Sequence, residues 1–156
     1  MAKAKFGLEF DGFLELAERI DKMGGDKLKV AVENAMTKSK DYANEMAKDA
    51  MNRSFYSFDK GKPNAEGHRY ATGKAMESLN EVASKPIEWH GNECVAYIGG
   101  DLKDAPEVLI LALGTPKLKA DRNLNNAIKV KGKYRKEASR IQQEEFFKVI
   151  KEAQND

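Results

Sequence analysis

The stretch Glu93–Ile128, ECVAYIGGDLKDAPEVLILALGTPKLKADRNLNNAI, decides the fold class. Cys94 to Ile98 is a short apolar run of β-favouring residues, stopped by Gly99-Gly100. In Asp104-Ala105-Pro106-Glu107 the aspartate can cap free amides, the proline fits a first helical turn, and the glutamate takes the capping-box position. Val108 to Leu113 then supplies the apolar body of a short helix, and Gly114 is the residue expected just past its end. Thr115 to Asn126 is polar and basic. A strand, a glycine stop, a short helix and a Gly-Thr exit form one compact mixed unit.

Upstream, His90-Gly91-Asn92 is a turn signal that pairs Glu93–Ile98 with an extended Leu79–Trp89 as a hairpin. Val82, Ile87 and Trp89 favour that strand, and Pro86 places it at an edge or a bend. Phe6, Leu8 and Phe10 alternate as a third strand, and Ile128-Lys129-Val130-Lys131 is a candidate fourth. Asp11 can cap a helix running to Met23, which Gly24-Gly25 breaks.

The longest predicted helix is Asp26 to about Arg53. Leu28, Val32, Ala35, Ser39, Tyr42, Met46 and Ala50 form its seam. Beside them runs a stripe of small residues, Ala31, Ala35, Ser39, Ala43 and Ala47. The first expectation is that this stripe packs on the chain's own sheet; the second is that part of it meets a neighbouring subunit. A final helix spans about Lys133 to Ala153, with Tyr134, Ala138, Ile141, Phe146, Val149, Ile150 and Ala153 on one face and Phe147 outside it. These elements predict an α+β fold: a small antiparallel β-sheet packed by a long central helix and a C-terminal helix. At 156 residues a single domain over 1–156 is expected.

Asn52 to Ala71 is a long connection, predicted mobile, of the kind that compact domains keep for a use. It holds Phe55, Tyr56 and Phe58, then Lys60, Lys62, His68, Arg69 and Tyr70. Docking to a partner is the first reading of these residues and passive cover of the core the second. Stacking on bases with phosphate contact is the third.

Charged residues make up 33% of the chain but balance to a net +2, which argues against a strong overall field and against a dominant non-specific nucleic-acid binder. Cys94 is the single cysteine, so no internal disulfide is possible; its apolar strand predicts a buried small hydrophobe. The N-terminus has no apolar core of a signal peptide and no run approaches a membrane span, so a cytoplasmic product without membrane contact is expected. No phosphate-cradling Gly-Lys-Ser/Thr loop and no Gly-x-Ser-x-Gly elbow occur. His68 and His90 lack metal-ligand spacing, and neither a cofactor nor a catalytic group is expected. One charge cluster stands out. Lys117, Lys119, Arg122, Lys129, Lys131, Lys133, Arg135 and Lys136 share their stretch with Asp121 as its one acid. A solvated edge, an acidic protein partner and weak sequence-independent contact with DNA are the open readings. A small nucleic-acid-binding module using 117–136 is the alternative function.

Thr72-Gly73-Lys74-Ala75-Met76-Glu77-Ser78-Leu79, the strand end Tyr97-Ile98-Gly99, then Gly114-Thr115, then Ala120 to Ala127 follow one another between two long helices. In order and spacing this set resembles the neck and tail-completion proteins of tailed bacteriophages, also called head–tail joining or minor capsid proteins. Those proteins carry a Thr-Gly-Arg-Leu-x-x-Ser-Ile-like motif, a strand ending Ile-Gly, a Glu-x-Gly-Thr segment and an Ala-x-Pro-Phe-Leu-x-x-Ala motif. Here Ala112 replaces the glutamate and the Pro-Phe pair is missing. The resemblance implies a structural virion protein that is not an enzyme. It would be assembled in the host cytoplasm and act at the head–tail junction or tail end. Its partners would be copies of itself in a ring, and head-completion, adaptor or tail-tube proteins. The interface residues expected are Phe55, Tyr56, Phe58, Arg69, Tyr70, Thr72, Gly73, Gly114, Thr115, Lys117, Lys119, Arg122, Leu124 and Phe147.

Overall fold

The computed structural model describes residues 25–54, 73–101, 103 and 105–154. The expected Phe6–Phe10 strand, the Asp11–Met23 helix, the cap at Asp104 and most of the 52–71 connection lie outside them. The fold is α+β. In chain order it comprises α1 (Gly25–Arg53), α2 (Lys74–Ser84), β1 (Glu88–His90), β2 (Glu93–Val95), α3 (Glu107–Leu113), α4 (Arg122–Ile128) and α5 (Lys133–Gln154).

The small stripe of α1 is buried throughout, at Ala31, Ala35, Ser39, Ala43 and Ala47. Its main partner is α5 rather than the sheet. The reason is size: two strands of three residues each cannot cover a helix of 29 residues. On α5 the buried residues are Tyr134, Ala138, Gln142, Phe146 and Ile150, also four apart. The two rows run antiparallel. Ala31 and Ala35 pack with Phe146 and Ile150, Gln142 Nε2 donates to Ser39 Oγ at 2.9 Å, and Ala43 and Ala47 share a core with Tyr134 and Ala138. Alanines on one helix leave room for the larger side chains of the other, and burying Phe146 or Ile150 contributes about 1.5–3 kcal/mol each. The Ser39–Gln142 bond divides a large core from a small one. Lys38 Nζ to Glu145 Oε1, 2.7 Å, fastens the same level from outside.

The expected strand Leu79–Trp89 is corrected. Lys74–Ser84 is helical, with Ala75, Ser78, Leu79 and Val82 buried at helical spacing. Ala75, Met76, Glu77, Leu79, Glu81 and Ala83 favour helix more than the lone Val82 favours strand. Pro86 ends the helix by pushing Lys85 to an extended backbone, φ −66° and ψ 130°. The buried Lys40 ammonium of α1 donates to the Lys85 carbonyl at 2.7 Å, a cation at a helix C-terminus.

The hairpin forms around Gly91 as expected, with Glu88 opposite Val95, Trp89 opposite Cys94 and His90 opposite Glu93. It is shorter than Glu93–Ile98 implied. A two-stranded hairpin is marginal alone, and this one is docked on α1. Trp89 Nε1 donates to Glu33 Oε1 at 2.9 Å, and Asn44 bridges the Tyr97 carbonyl and the Gly99 amide at 3.0 and 3.3 Å. Cys94 is half-buried rather than fully buried, because each strand presents its edge to solvent. Downstream, the Asp101 amide donates to Ser78 Oγ at 2.7 Å, and a Cβ on Gly100 would lie 2.9 Å from Val108 Cγ2. The chain therefore passes tightly between α2 and α3.

The candidate strand Ile128–Lys131 is also corrected. Ile128 ends α4, and Lys129 to Lys131 close it. The Val130 amide donates to Ala127 O at 3.2 Å and the Lys131 amide to Asn126 O at 2.8 Å. This is the Schellman pattern, which normally places glycine at the left-handed position. Here Val130 takes it, at φ 50°. The strain is offset by burial of the valine side chain in the main core.

Candidate functional site

Two adjoining features stand out among the described residues: the turn after α3 and a basic corner around α4. Gly114 closes α3 by donating its amide to Ile110 O at 2.8 Å. Its φ of 74° and ψ of 178° suit glycine alone. A Cβ there would lie 2.6 Å from Leu118 O and 2.7 Å from Ala120 N. The exposed Thr115 and half-buried Leu118 exchange backbone hydrogen bonds at 2.8 and 3.0 Å, making a tight turn with Pro116 and Lys117 at its tip. The Asp121 amide then donates to Leu111 O at 3.2 Å, so the loop folds back on the helix it leaves.

Asp121 caps α4. Its Oδ1 accepts from the Leu124 amide at 3.0 Å and its Oδ2 from Ser54 Oγ at 2.6 Å. The carboxylate is buried, so the one acid in the Lys117–Lys136 stretch points inward. The cations of that stretch are all exposed. On α4, Arg122, Asn126 and Lys129 share the outer face at positions i, i+4 and i+7, while Leu124 and Ala127 face in. The buried Val130 turn leaves Lys129 and Lys131 outside on either side of it. Arg135 and Lys136 continue onto α5 and line a shallow open groove with Gly132, Ser139, Arg140 and Gln143. Arg140 is neutralised by Glu137 and Glu144, which hold its proton more tightly than usual, and the hydrogen bond from the Arg140 guanidinium holds the Glu137 carboxyl below its ordinary range. Lys133 lies over the Tyr134 ring, 5.1 Å from its centre.

The expected interface residues do not form one surface. Gly114, Thr115, Lys117, Lys119 and Arg122 come together along one loop, with Lys117, Lys119 and Arg122 exposed. Gly73 (φ 85°) opens α2, and its carbonyl accepts from the Glu77 amide at 3.1 Å. Phe147 stands off the α5 core face and is 44% exposed, away from that loop's sequence neighbourhood. Leu124 is corrected: it is fully buried at 0% exposure, because the polar stretch expected as loop forms α4 and turns this side chain into the core. Phe55, Tyr56, Phe58, Arg69, Tyr70 and Thr72 lie outside the described residues. Asp121 and Gln142 were not singled out by sequence. Asp121 before a four-residue apolar spacing was a legible cap signal, and Gln142 completes the row of fours on α5.

The chemistry of the surface is charge and contact. Among the described residues no group of three or more His, Cys, Asp or Glu is placed to hold a metal, and no helix is long and apolar enough to cross a membrane. His90 pairs with Glu88 at 3.3 Å on the exposed hairpin. Burial pushes the Cys94 thiol above its usual range, with Glu33 adding to the effect. No family model, no curated protein and no solved structure matches the chain.

Proposed function

We propose that the protein is a structural joining component of a tailed bacteriophage, acting in head–tail joining or tail completion. The observation that carries this reading is the Gly114-Thr115 turn. Its glycine has both a backbone angle and a close approach that a side chain would spoil, so the Gly-Thr pair in the motif series is there for a built exit from α3. The ordered motifs from Thr72 to Ala127 resemble those of the joining proteins, and the exposed, cation-rich loop that follows the turn suits contact rather than catalysis. Function is then assembly. A folded core presents the 114–122 loop, and the chain segment around Phe55 to Thr72, to copies of itself in a closed ring and to head-completion, adaptor or tail-tube proteins.

Deleting the gene from its phage tests this. Capsids should still assemble, while electron microscopy of the lysate should show filled heads and tails unjoined, or tails with defective ends. The protein supplied in trans should restore infectious particles. Normal yields of joined, infectious virions without the gene would refute the reading.

A further inference from the structure

We infer that the corner formed by the 117–122 loop, α4 and the first turn of α5 binds the phosphate backbone of double-stranded DNA without reading its sequence. The inference rests on the surface itself and is independent of the joining role. Lys117, Arg122, Lys129, Lys131, Arg135 and Lys136 are exposed, and their side chains have no ion pair or hydrogen bond among the described residues. Among the described residues no carboxylate of the 117–136 stretch lies at the surface, because Asp121 is buried and committed to Ser54 and the Leu124 amide. The balanced net charge of +2 therefore hides a local excess of positive charge.

On its α4 and α5 side the patch lacks the apolar centre that holds a protein partner, which leaves protein contact to the turn at Gly114-Thr115, beside the exposed Leu113. Protein partners are held by buried apolar anchors at the centre of the contact. Here Leu124, Ala127, Val130 and Tyr134 are all turned into the core, and the outward residues of α4 are Arg122, Asn123 and Asn126. Long cationic side chains on a surface whose large apolar residues are buried or half-buried suit a polyanion. The outer face of α4 from Arg122 to Lys129 is about 10 Å long at 1.5 Å per residue. Duplex DNA carries one charge per about 3.4 Å along each strand, so a face of that length spans about three phosphates of one strand. The free cations of the loop and of the first turn of α5 extend the contact, so the whole corner can engage about five or six. Such binding is driven by counterion release and is weak at physiological salt.

The test uses the full chain and a short labelled duplex of mixed sequence, followed by fluorescence anisotropy. With about five or six phosphates engaged, the slope of log affinity on log salt should be about −5, a loss of about a thousandfold between 50 and 200 mM. The variant Lys129→Gln/Lys131→Gln/Lys136→Gln should flatten the slope by about three and bind more weakly at low salt. A second variant, Lys117→Gln/Arg122→Gln, should flatten it by about two. Both should keep the wild-type melting temperature, because every residue changed is exposed. Lys74→Gln/Lys148→Gln/Lys151→Gln removes three exposed cations elsewhere and should leave binding nearly unchanged. Absence of binding at low salt, or equal losses in the patch and control variants, would overturn the inference. So would displacement of the duplex by poly-glutamate at equal charge, which would mark an acidic protein as the partner.

Discussion

Replacing Gly114 with alanine probes the turn on which the loop after α3 depends. At φ 74° and ψ 178° the backbone lies in a region open almost only to glycine, and strain there costs about 1–3 kcal/mol. The new methyl would also lie 2.6 Å from Leu118 O, 2.7 Å from Ala120 N and 3.0 Å from Ala120 Cα. These are backbone atoms, so relief requires the turn itself to move, at a further cost of about 1–3 kcal/mol. Reduced freedom of the unfolded chain returns about 0.4–1 kcal/mol. The net expectation is a loss of about 3 kcal/mol, or about 6–12 °C in melting temperature for a domain of this size. Urea unfolding followed by far-ultraviolet circular dichroism measures it as a lower midpoint at unchanged slope. Two further glycines separate the contributions. Gly91→Ala meets nothing within 4 Å at φ 62°, so it should show strain alone, about 1 kcal/mol. Gly25→Ala, at the start of α1 with open space around it and no positive φ, should be neutral or stabilising by up to about 1 kcal/mol. If Gly114→Ala lies within about 0.5 kcal/mol of wild type, the turn is not held as described.

Three other perturbations follow from the packing. Leu124→Ala should lower stability by about 3 kcal/mol as a cavity-forming change; a variant of wild-type stability that fails only in association would restore Leu124 to the surface. Asp121→Ala should cost about 2 kcal/mol through loss of the α4 cap and of the bond from Ser54, while Asp121→Asn keeps a capping oxygen and should cost less; equal unfolding midpoints for the two variants would show that the cap is not the source. Cys94 should react with iodoacetamide more slowly in the folded protein than in urea at pH 8, since burial first, and Glu33 second, raises its pKa. The sign follows: the neutral thiol is favoured by folding, so this contribution is present below the unfolded pKa and is lost as pH rises through the folded one. Equal rates in the folded and unfolded protein would contradict it.

Local pattern was enough for the features that local pattern controls. The four-residue recurrence of small residues foretold α1, the apolar face with Phe147 outside it foretold α5, and Pro106 and Gly114 bracketed α3 within a residue. The His90-Gly91-Asn92 turn was legible because a tight turn is settled by its own residues. Misreadings occurred where distant chain decides. Val82 reads as strand beside Ile87 and Trp89, yet the helix formers around it favour α2, and the contact of its Ala75, Ser78, Leu79 and Val82 face with α1 and the Gly100 crossing secures it. Val130 reads as strand by its β-branch, yet it holds a left-handed helix end because the core behind it takes its side chain. The basic run was plain in the sequence, but its strength as a surface was not. Only the tertiary structure turned Leu124 and Asp121 inward, because α4 needs both an apolar face and a cap, and so left the cations outside with no acid of the described 117–136 stretch among them.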